Sequence, residues 1–380
     1  MNKRILKRAS KLLRWETLLV VLLVVLWIVF NNKDAALQAE RLALIAKKGR
    51  GKVLEDVINV PNMLDGMGPY LLYSFMALGM ALLLGMGDID ISVGATAALS
   101  ASVMGLSYGA LVEVCSPGLA MAAALVLCIL TGAACGALNG ILVTRFRELF
   151  PMIITLGTQL FYRGLCYLLL GGDTLKYEND GTWGMLADMY NGKVALFGCS
   201  IPTMLILFLG LALVFFVFFH LTTGGRKLFA IGTNRVTALY SGVRVDRFEL
   251  AMFTLCGIMA AVSSMFYVGS VSATVRADAM VGYEMYAIAV VVLGGFSTNG
   301  GKGNVIGIIL SVLIFAVMKK GLGTVYKLPD STVNLAVGVV LILSSALPNL
   351  LQMLRTALRL RRQHREAVNS NFGGTTPAEK

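Results

Sequence analysis

The dominant feature of this chain is a series of apolar runs that are long enough to cross a lipid bilayer as helices. Such a helix needs about 20 predominantly apolar residues. The ten predicted spans cover residues 13–30, 68–86, 91–112, 118–143, 152–171, 201–221, 249–268, 284–296, 303–321 and 332–351. Charged residues make up only 14% of the 380 residues, too few to cover a soluble protein of this size. The sequence therefore predicts an all-α polytopic membrane protein, and it excludes a soluble enzyme, a disordered chain and a disulfide-stapled secreted domain.

The net charge of +12 follows the predicted membrane topology and does not indicate a nucleic-acid partner. With the N-terminus in the cytoplasm, cytoplasmic segments hold twenty of the 33 Lys and Arg residues and outer segments hold ten. Cytoplasmic flanks of membrane helices carry such an excess of positive charge. We therefore expect both termini in the cytoplasm and one transmembrane domain over residues 1–350. Within it, residues 31–66 form an outer or interfacial amphipathic segment, and residues 351–380 are a basic, disordered tail.

Two glycine-rich sequences interrupt the apolar runs in a similar way. The first runs from Gly85 to Gly94, and the second runs from Gly294 to Asn304. Backbone that is not helical at membrane depth must find hydrogen bonds in protein or water, so broken helices tend to line polar cavities. Many transporters consist of two repeated halves with such breaks. We therefore expect about ten transmembrane helices in two pseudo-repeated halves, each containing a glycine-broken helix.

Charges at membrane depth and residues of the two breaks are the candidates for a translocation pathway. Buried charges are costly in a membrane and mark either solute paths or structural ion pairs. The candidate pathway residues are Asp88, Asp90, Ser92, Gly94, Arg163, Glu284, Gly294 and Gly295. Arg163 is expected to face the bundle interior, either in a structural ion pair or beside the solute.

The sequence offers no catalytic residue and no metal site. Its two histidines, His220 and His364, cannot build a metal centre or a catalytic triad. Gly300-Gly301-Lys302 fails as a phosphate-binding loop, because Gly303 stands where Ser or Thr is required. We therefore expect no enzymatic activity and no cofactor in this chain.

The segment 222–248 lies between two apolar runs and is short, basic and punctuated by glycine. It resembles the cytoplasmic loop of the permeases of ribose-type ABC importers, which follows the pattern G-R-x-x-x-A-x-G-x-N-x-x-A-A-x-x-S-G-[IV]. The matching residues are Gly225, Arg226, Ala230, Gly232, Asn234, Ala238, Ser241, Gly242 and Val243. Thr237 departs from the pattern, because the family usually has Ala there.

The resemblance covers about residues 60–350. The sequence from Gly87 to Gly94 is similar to the family's G-G-I-D-L-S-V-G, with Asp88 in place of the second glycine. Residues 282–295 are similar to the family's G-Y-E-L-x-A-I-A-x-V-V-L-G-G. At 319–322 the chain has Lys-Lys-Gly-Leu where the family usually has N-N-G-L.

The resemblance implies a pore-forming permease subunit of a bacterial inner-membrane importer. It implies three partners: a second permease subunit, an ATP-binding subunit that carries ATP and Mg²⁺, and a soluble binding protein that delivers a small sugar from outside. The residues implied in coupling to the ATPase are Gly225, Arg226, Ala230, Gly232, Asn234, Ala238, Ser241 and Gly242. Two alternatives stay open: an ion-coupled secondary transporter that uses Asp88, Asp90 and Glu284 without an ATPase, and a membrane scaffold.

Overall fold

The computed structural model describes residues 15–48, 67–177, 181–196, 199–329, 331–332, 334–340 and 342–343. The chain divides into two units, Met1–Val333 and Asn334–Lys380. In the second unit the described residues are helical. The predicted basic tail and much of the last predicted span lie outside the described residues.

The structure is dominated by helices, and the few strands are short. The helices are α1 (Trp15–Lys48), α2 (Gly68–Met86), α3 (Val93–Val112), α4 (Pro117–Arg145), α5 (Pro151–Leu170), α6 (Gly181–Asn191), α7 (Thr203–Leu221), α8 (Thr223–Thr233), α9 (Arg235–Tyr240), α10 (Val245–Ser270), α11 (Tyr283–Leu293) and α12 (Val305–Lys320), and a π-helical turn (Gly321–Val325) follows α12. The strands are β1 (Leu175–Lys176), β2 (Lys193–Leu196), β3 (Cys199–Pro202) and β4 (Thr274–Val275). Strand β1 pairs antiparallel with β4, and β2 pairs antiparallel with β3.

Among the described residues, eight helices are long and apolar enough to cross a membrane: α1 to α5, α7, α10 and α12. The predicted all-α polytopic membrane fold is confirmed. The predicted span 284–296 is shorter than expected, because α11 has 11 residues and ends before Gly294. At 1.5 Å per residue it is about 17 Å long, well short of the roughly 30 Å hydrocarbon core.

The first helix differs from its predicted bounds. We predicted a span ending at residue 30, whereas α1 continues to Lys48 and has 34 residues. Its length is about 51 Å, which exceeds the thickness of the hydrocarbon core. The predicted interfacial segment 31–66 therefore begins inside this helix, and its remainder, residues 49–66, lies outside the described residues.

Helices α2 and α10 occupy the centre of the bundle. Gly132, Gly136 and Gly140 lie on one face of α4 and pack directly on α10. A Cβ added at Gly136 would lie 3.0 Å from the Cα of Thr254, and it would lie closer still to the carbonyl oxygen of Phe253. Small residues allow such close helix contact in membranes. These three glycines therefore serve helix packing.

Candidate coupling site and translocation pathway

The first glycine break begins with a specific helix ending. Gly87, with φ of +90°, follows the last residue of α2 in the left-handed conformation. Its N–H donates to the carbonyl of Leu84 at 3.0 Å, and the N–H of Asp88 donates to the carbonyl of Leu83 at 3.0 Å. This pair of bonds is a Schellman motif, which glycine favours because a Cβ is strained at positive φ.

The second break begins with the same ending. Gly295, with φ of +89°, takes the place of Gly87 after helix α11. Its N–H donates to the carbonyl of Val292 at 3.0 Å, and the N–H of Phe296 donates to the carbonyl of Val291 at 3.2 Å. The likeness of the two breaks therefore extends from sequence to hydrogen bonding, which supports the predicted repeat.

A side-chain oxygen also binds a backbone N–H at or just before the start of each following helix. Before α3, the Oδ1 atom of Asp90 accepts a hydrogen bond from the backbone N–H of Ser92 at 2.8 Å. Before α12, the Oδ1 atom of Asn304 accepts one from the N–H of Ile306 at 3.1 Å. Each side chain satisfies a donor two residues ahead, as Asp and Asn commonly do where a helix starts. We call the segments 85–92 and 294–304 the first and second hairpin tips.

The two hairpin tips meet each other through main-chain atoms. The N–H of Gly301 donates to the carbonyl of Gly85 at 2.9 Å. A Cβ added at Gly300 would lie 2.8 Å from the backbone nitrogen of Gly87. No side chain could be inserted there without displacing one tip from the other.

Helix α8 ends at the same point. A Cβ added at Gly232 would lie 3.1 Å from the Cα of Met86, and it would collide with the carbonyl of Gly85 and the nitrogen of Gly301. Gly300 is equally close to Gly232, since its added Cβ would lie 2.9 Å from the Cα of Gly232. We call this contact of α8 with both hairpin tips the glycine junction.

Helices α8 and α9 form two short segments with separate caps. The hydroxyl of Thr222 accepts a hydrogen bond from the N–H of Gly225 at 3.3 Å at the start of α8. The Oδ1 atom of Asn234 accepts one from the N–H of Thr237 at 2.9 Å at the start of α9. Leu228, on the inward face of α8, is fully buried. The segment is therefore an ordered pair of helices that packs on the bundle.

The residues predicted to couple this segment to an ATPase fall into two groups. Gly225, Gly232 and Ala238 are directed inward, where the chain itself surrounds them. The remaining members of the predicted set are exposed: Arg226, Ala230, Asn234, Ser241 and Gly242. Only the second group is accessible to another protein, and Asn234 already serves as the cap of α9.

A cluster of charges adjoins the start of α9. The carboxylate of Glu249, which is fully buried, forms ion pairs with Arg235 and with Arg147, the latter at 3.3 Å. Arg147 also pairs with Asp246, whose side chain is 69% exposed. The cluster joins α9, α10 and the loop between α4 and α5. A carboxylate buried to this degree is stable only with such paired charges.

Asp88 lies at the edge of this charge cluster. It is only 5% exposed, and its Oδ2 atom has no hydrogen-bond partner among the described residues. Burial raises the pKa of Asp88 from 3.8 to about 6, against the opposing effect of the nearby Arg235 and Arg147 guanidinium groups. Burial also lowers the pKa of Arg235. The first hairpin tip is therefore linked electrostatically to α9.

Sequence reasoning missed most of this cluster. Glu249 was the first residue of a predicted span and was not among the candidate charges. Its partner Arg147 lies 102 residues away in the chain, and no local pattern pairs the two. The one available signal was the position of Glu249: it is an acidic residue at the end of a predicted span, on the side where two short loops are basic.

Asp90 and Ser92 belong to a separate polar network. The Nδ2 atom of Asn139 donates to the Oδ2 atom of Asp90 at 3.1 Å and to the hydroxyl of Ser92 at 2.7 Å. The hydroxyl of Tyr162 donates to the Oδ1 atom of Asn139 at 3.0 Å. All four side chains are buried. Burial raises the pKa of Asp90, and the hydrogen bonds from Ser92 and Asn139 oppose the rise. The network ties the first hairpin tip to α4 and α5.

Glu284 and Gly94 lie together at a third position. The Oε1 atom of Glu284 accepts hydrogen bonds from Gln159 and from the N–H of Gly282, both at 3.2 Å. Its Oε2 atom has no partner among the described residues and lies directly against Gly94. A Cβ on Gly94 would displace this carboxylate, so the two predicted residues depend on each other.

Arg163 binds backbone near this position. Its Nη1 atom donates to the carbonyls of Ala277 and Ala279 at 2.8 and 2.7 Å. These bonds fix the segment that leads from β4 to α11.

The last two predicted pathway residues serve packing. Gly294 lies against Gly307 at the crossing of α11 and α12. Gly295 lies against the indole ring of Trp15, whose Nε1 atom donates to the carbonyl of Leu293 at 2.7 Å. The predicted pathway residues thus occupy four separate positions of the described chain, and their part in translocation stays a prediction.

Comparisons with known proteins identify the family. The family described as "Branched-chain amino acid transport system / permease component" matches residues 62–345. The autoinducer 2 import system permease protein LsrD of Photorhabdus luminescens is 32% identical over 290 residues, which cover 76% of this chain and 83% of that relative. LsrD of Escherichia coli strain K12 is 32% identical over 274 residues, covering 72% and 79%. No solved structure matches. The chain therefore belongs to this family of transport-system permease components, as a multi-pass membrane protein.

Proposed function

We propose that this chain is the permease subunit of an ATP-driven ABC importer for a small sugar or sugar-like solute. Two permease subunits form the pore, a separate ATPase binds at α8 and α9, and an external binding protein delivers the solute. Family membership and the import role in the names of the relatives support this proposal. An ion-coupled transporter that works alone is disfavoured, because the matched family consists of permease components.

The glycine junction is the observation that carries the proposal. A single short segment, α8 with α9, touches both hairpin tips through backbone atoms around Gly232. Its other face presents side chains outward. A protein that moves this segment would therefore move both tips together. An external ATPase needs such a movement to switch the pore between outward and inward access.

The outward face of α9 fits such a partner. Val236, Leu239 and Tyr240 are 61%, 59% and 87% exposed, and Arg226 and Lys227 lie exposed on α8. Large exposed apolar groups next to charges are typical of protein interfaces. We assign this surface to the ATPase, and we propose that α8 and α9 lie in the cytoplasm, on the same side of the membrane as both chain termini.

The charge cluster gives the movement a second route into the bundle. Arg235 belongs to α9, whereas its partner Glu249 belongs to α10 at the bundle centre. When ATP binding draws the α8–α9 segment toward the ATPase, the ion pair pulls α10 while the glycine junction pulls the hairpin tips. The pore then alternates between two access states, and the ligand-bound ATPase selects one of them.

Reconstitution tests the proposal. The permease is purified with its ATPase and binding protein and placed in proteoliposomes, and uptake of labelled ribose and glucose is measured with ATP, with ADP, and with an ion gradient alone. We expect uptake only with ATP. Uptake driven by an ion gradient without the ATPase would overturn the proposal.

Labelling tests the assigned surface. Tyr240→Cys, in a Cys115→Ser background, should react with a membrane-impermeant maleimide and should be protected when the ATPase is bound. Val114→Cys is the matched control, because Val114 is 81% exposed at the opposite end of the bundle. It should react from the other side of the membrane, with or without the ATPase. Equal reactivity of Tyr240→Cys in both states would reject the docking assignment.

A further inference from the structure

A group of tyrosines lies at the end of the bundle opposite the glycine junction. The chain has 12 tyrosines. Six of them come from the ends of four helices: Tyr70, Tyr73, Tyr190, Tyr267, Tyr283 and Tyr286. Along α2, Tyr70 precedes Gly85 by 15 residues, or about 22 Å. We call this group the tyrosine cluster.

The rings of the cluster contact one another across helices. Tyr73 stacks on Tyr286, with centroids 5.3 Å apart and an interplanar angle of 18°. Tyr283 meets Tyr73 edge-on at 6.4 Å and meets Tyr267 edge-on at 5.9 Å. A Cβ added at Gly68 would lie 3.2 Å from the hydroxyl of Tyr190. Tyrosines of a lipid-facing belt would be dispersed around the bundle, whereas these converge between α2, α10 and α11.

A lysine extends over the cluster from α12. The Nζ atom of Lys319 lies 4.2 Å from the centroid of Tyr286 and 5.8 Å from that of Tyr70. The ammonium group is therefore held on the ring faces, where aromatic quadrupoles attract a cation. It lies beside the phenol groups at the position where the resembled family usually has Asn.

A second feature of the cluster is the buried hydroxyl of Tyr73. The side chain of Tyr73 is 2% exposed, and its hydroxyl has no hydrogen-bond partner among the described residues. A buried hydroxyl without a partner is costly, because water no longer satisfies it. The rings of Tyr286 and Tyr283 pack against the ring that carries this hydroxyl. The Tyr73 hydroxyl gains a hydrogen-bond partner if the rings of Tyr283 and Tyr286 move apart and an oxygen-rich molecule enters between them.

We propose that the tyrosine cluster is the solute-receiving site of the permease and that it takes a polyhydroxylated solute. The inference rests on the proposed function, since it assumes that a solute passes this end of the bundle. Ring faces of Tyr283 and Tyr286 pack against the C–H face of the solute, while Tyr73 and Lys319 hydrogen-bond its hydroxyls. Aromatic walls with a few converging polar groups are the usual lining of small-molecule sites.

The polar groups favour a polyol over an inorganic cation or an apolar amino acid side chain. Phenol hydroxyls both donate and accept hydrogen bonds, as sugar hydroxyls do. A cation would be repelled by Lys319, and an apolar solute would leave Tyr73 without a partner. The site is closed in this conformation, so solute binding and ring separation are coupled.

The test compares Tyr73→Phe with the wild type in the reconstituted importer, using ¹⁴C-labelled ribose, glucose and gluconate as probes. This substitution removes only a hydroxyl. If that hydroxyl has no partner in the protein, the thermal stability of the variant should equal or exceed that of the wild type. We expect uptake per ATP hydrolysed to fall about 3- to 10-fold at saturating solute and binding protein, the loss of one hydrogen bond. Tyr326→Phe, an exposed phenol outside the cluster, should transport normally.

A second variant pair tests the lysine. Lys319→Met should lower uptake by a similar factor, whereas its neighbour Lys320→Met should not. Unchanged uptake in Tyr73→Phe, or a loss of thermal stability that shows a protein partner for the hydroxyl, would overturn the inference while leaving the importer intact. If the wild type shows no ATP-dependent uptake, the proposed function fails and the inference fails with it.

Discussion

The two hairpin tips share a main-chain design but differ in what holds them. Both follow a helix that ends in a Schellman motif at Gly87 or Gly295. The first tip carries Asp88 and Asp90, which face charges and a hydrogen-bonding network. The second tip is held by the indole of Trp15, by close glycine packing, and by a hydrogen bond from the Nδ2 atom of Asn304 to the Glu16 carboxylate at 2.8 Å. One backbone motif thus serves a tip with buried carboxylates of its own and a tip held mainly by packing.

The difference indicates that the two tips are controlled by different interactions. The glycine junction moves both tips, but only the first tip is also tied to α9 and α10 through charges around Glu249. We therefore expect pH and charge substitutions to act on the first tip. Packing substitutions should act on the second tip without any dependence on pH.

The largest effect is expected where the tips meet. Gly232→Leu places a side chain against the backbone of both tips, and we expect it to destabilise the permease by about 3 to 4 kcal/mol and to abolish coupled uptake. Thermal unfolding in detergent and uptake by the reconstituted importer measure this. Gly210→Leu is the control, because nothing lies within 4 Å of an added Cβ there. Normal uptake by Gly232→Leu would mean that the junction transmits no movement.

The charge cluster should give the next largest effect. Glu249→Gln leaves Arg235 and Arg147 without their buried counter-charge, which costs about 3 kcal/mol. Uptake per ATP hydrolysed should fall further than stability alone explains, because α9 loses its link to α10. Asp246→Asn, which removes an exposed partner of the same Arg147, should change stability by less than about 1 kcal/mol. Equal effects of the two substitutions would remove the distinction between the buried and the exposed carboxylate.

Asp88 should make the first tip sensitive to pH. Its pKa of about 6 in the folded protein lies above its ordinary value of 3.8, so the folded state binds more protons between these values. Stability contributed by Asp88 is therefore lost as pH rises from about 4 to 6. Asp88→Asn should be more stable than the wild type by about 2 kcal/mol at pH 7.5 and by less at pH 5. Thermal unfolding at the two pH values measures this, and a destabilised Asp88→Asn at pH 7.5 would show that Asp88 is a required partner of Arg235.

The second tip should show the smallest effect and no dependence on pH. Trp15→Phe removes the hydrogen bond from the indole to Leu293 but keeps an aromatic ring, at a cost of about 1 kcal/mol. Unfolding of this variant at pH 5 and pH 7.5 should show the same difference from the wild type. A difference that changed with pH would show that ionisable groups are coupled to the packing at Trp15.

The sequence predicts the apolar framework well. The predicted span 68–86 has the bounds of α2, and the predicted span 201–221 differs from α7 by two residues. Length and hydropathy decide these helices, and both are properties of a continuous segment. The continuation of α1 past residue 30 was not predicted because charged residues at helical spacing suit either a helix or a membrane surface.

The site was predicted only in part for a different reason. The family pattern located the segment with Gly232, but a pattern does not distinguish a residue that faces a partner from one that faces its own chain. The ion pairs of Glu249 connect residues far apart in sequence, so they depend on the tertiary fold. The likeness of the two tips was visible in sequence because glycine is required by the local backbone conformation.

The glycine junction has a mechanical consequence. Side chains that separate two moving elements can rotate between staggered rotamers and so absorb part of any displacement. Between residue 232 and the two tips there are only peptide groups, which have no such freedom. A shift of α8 must therefore reach both hairpin tips at nearly full amplitude and at the same moment.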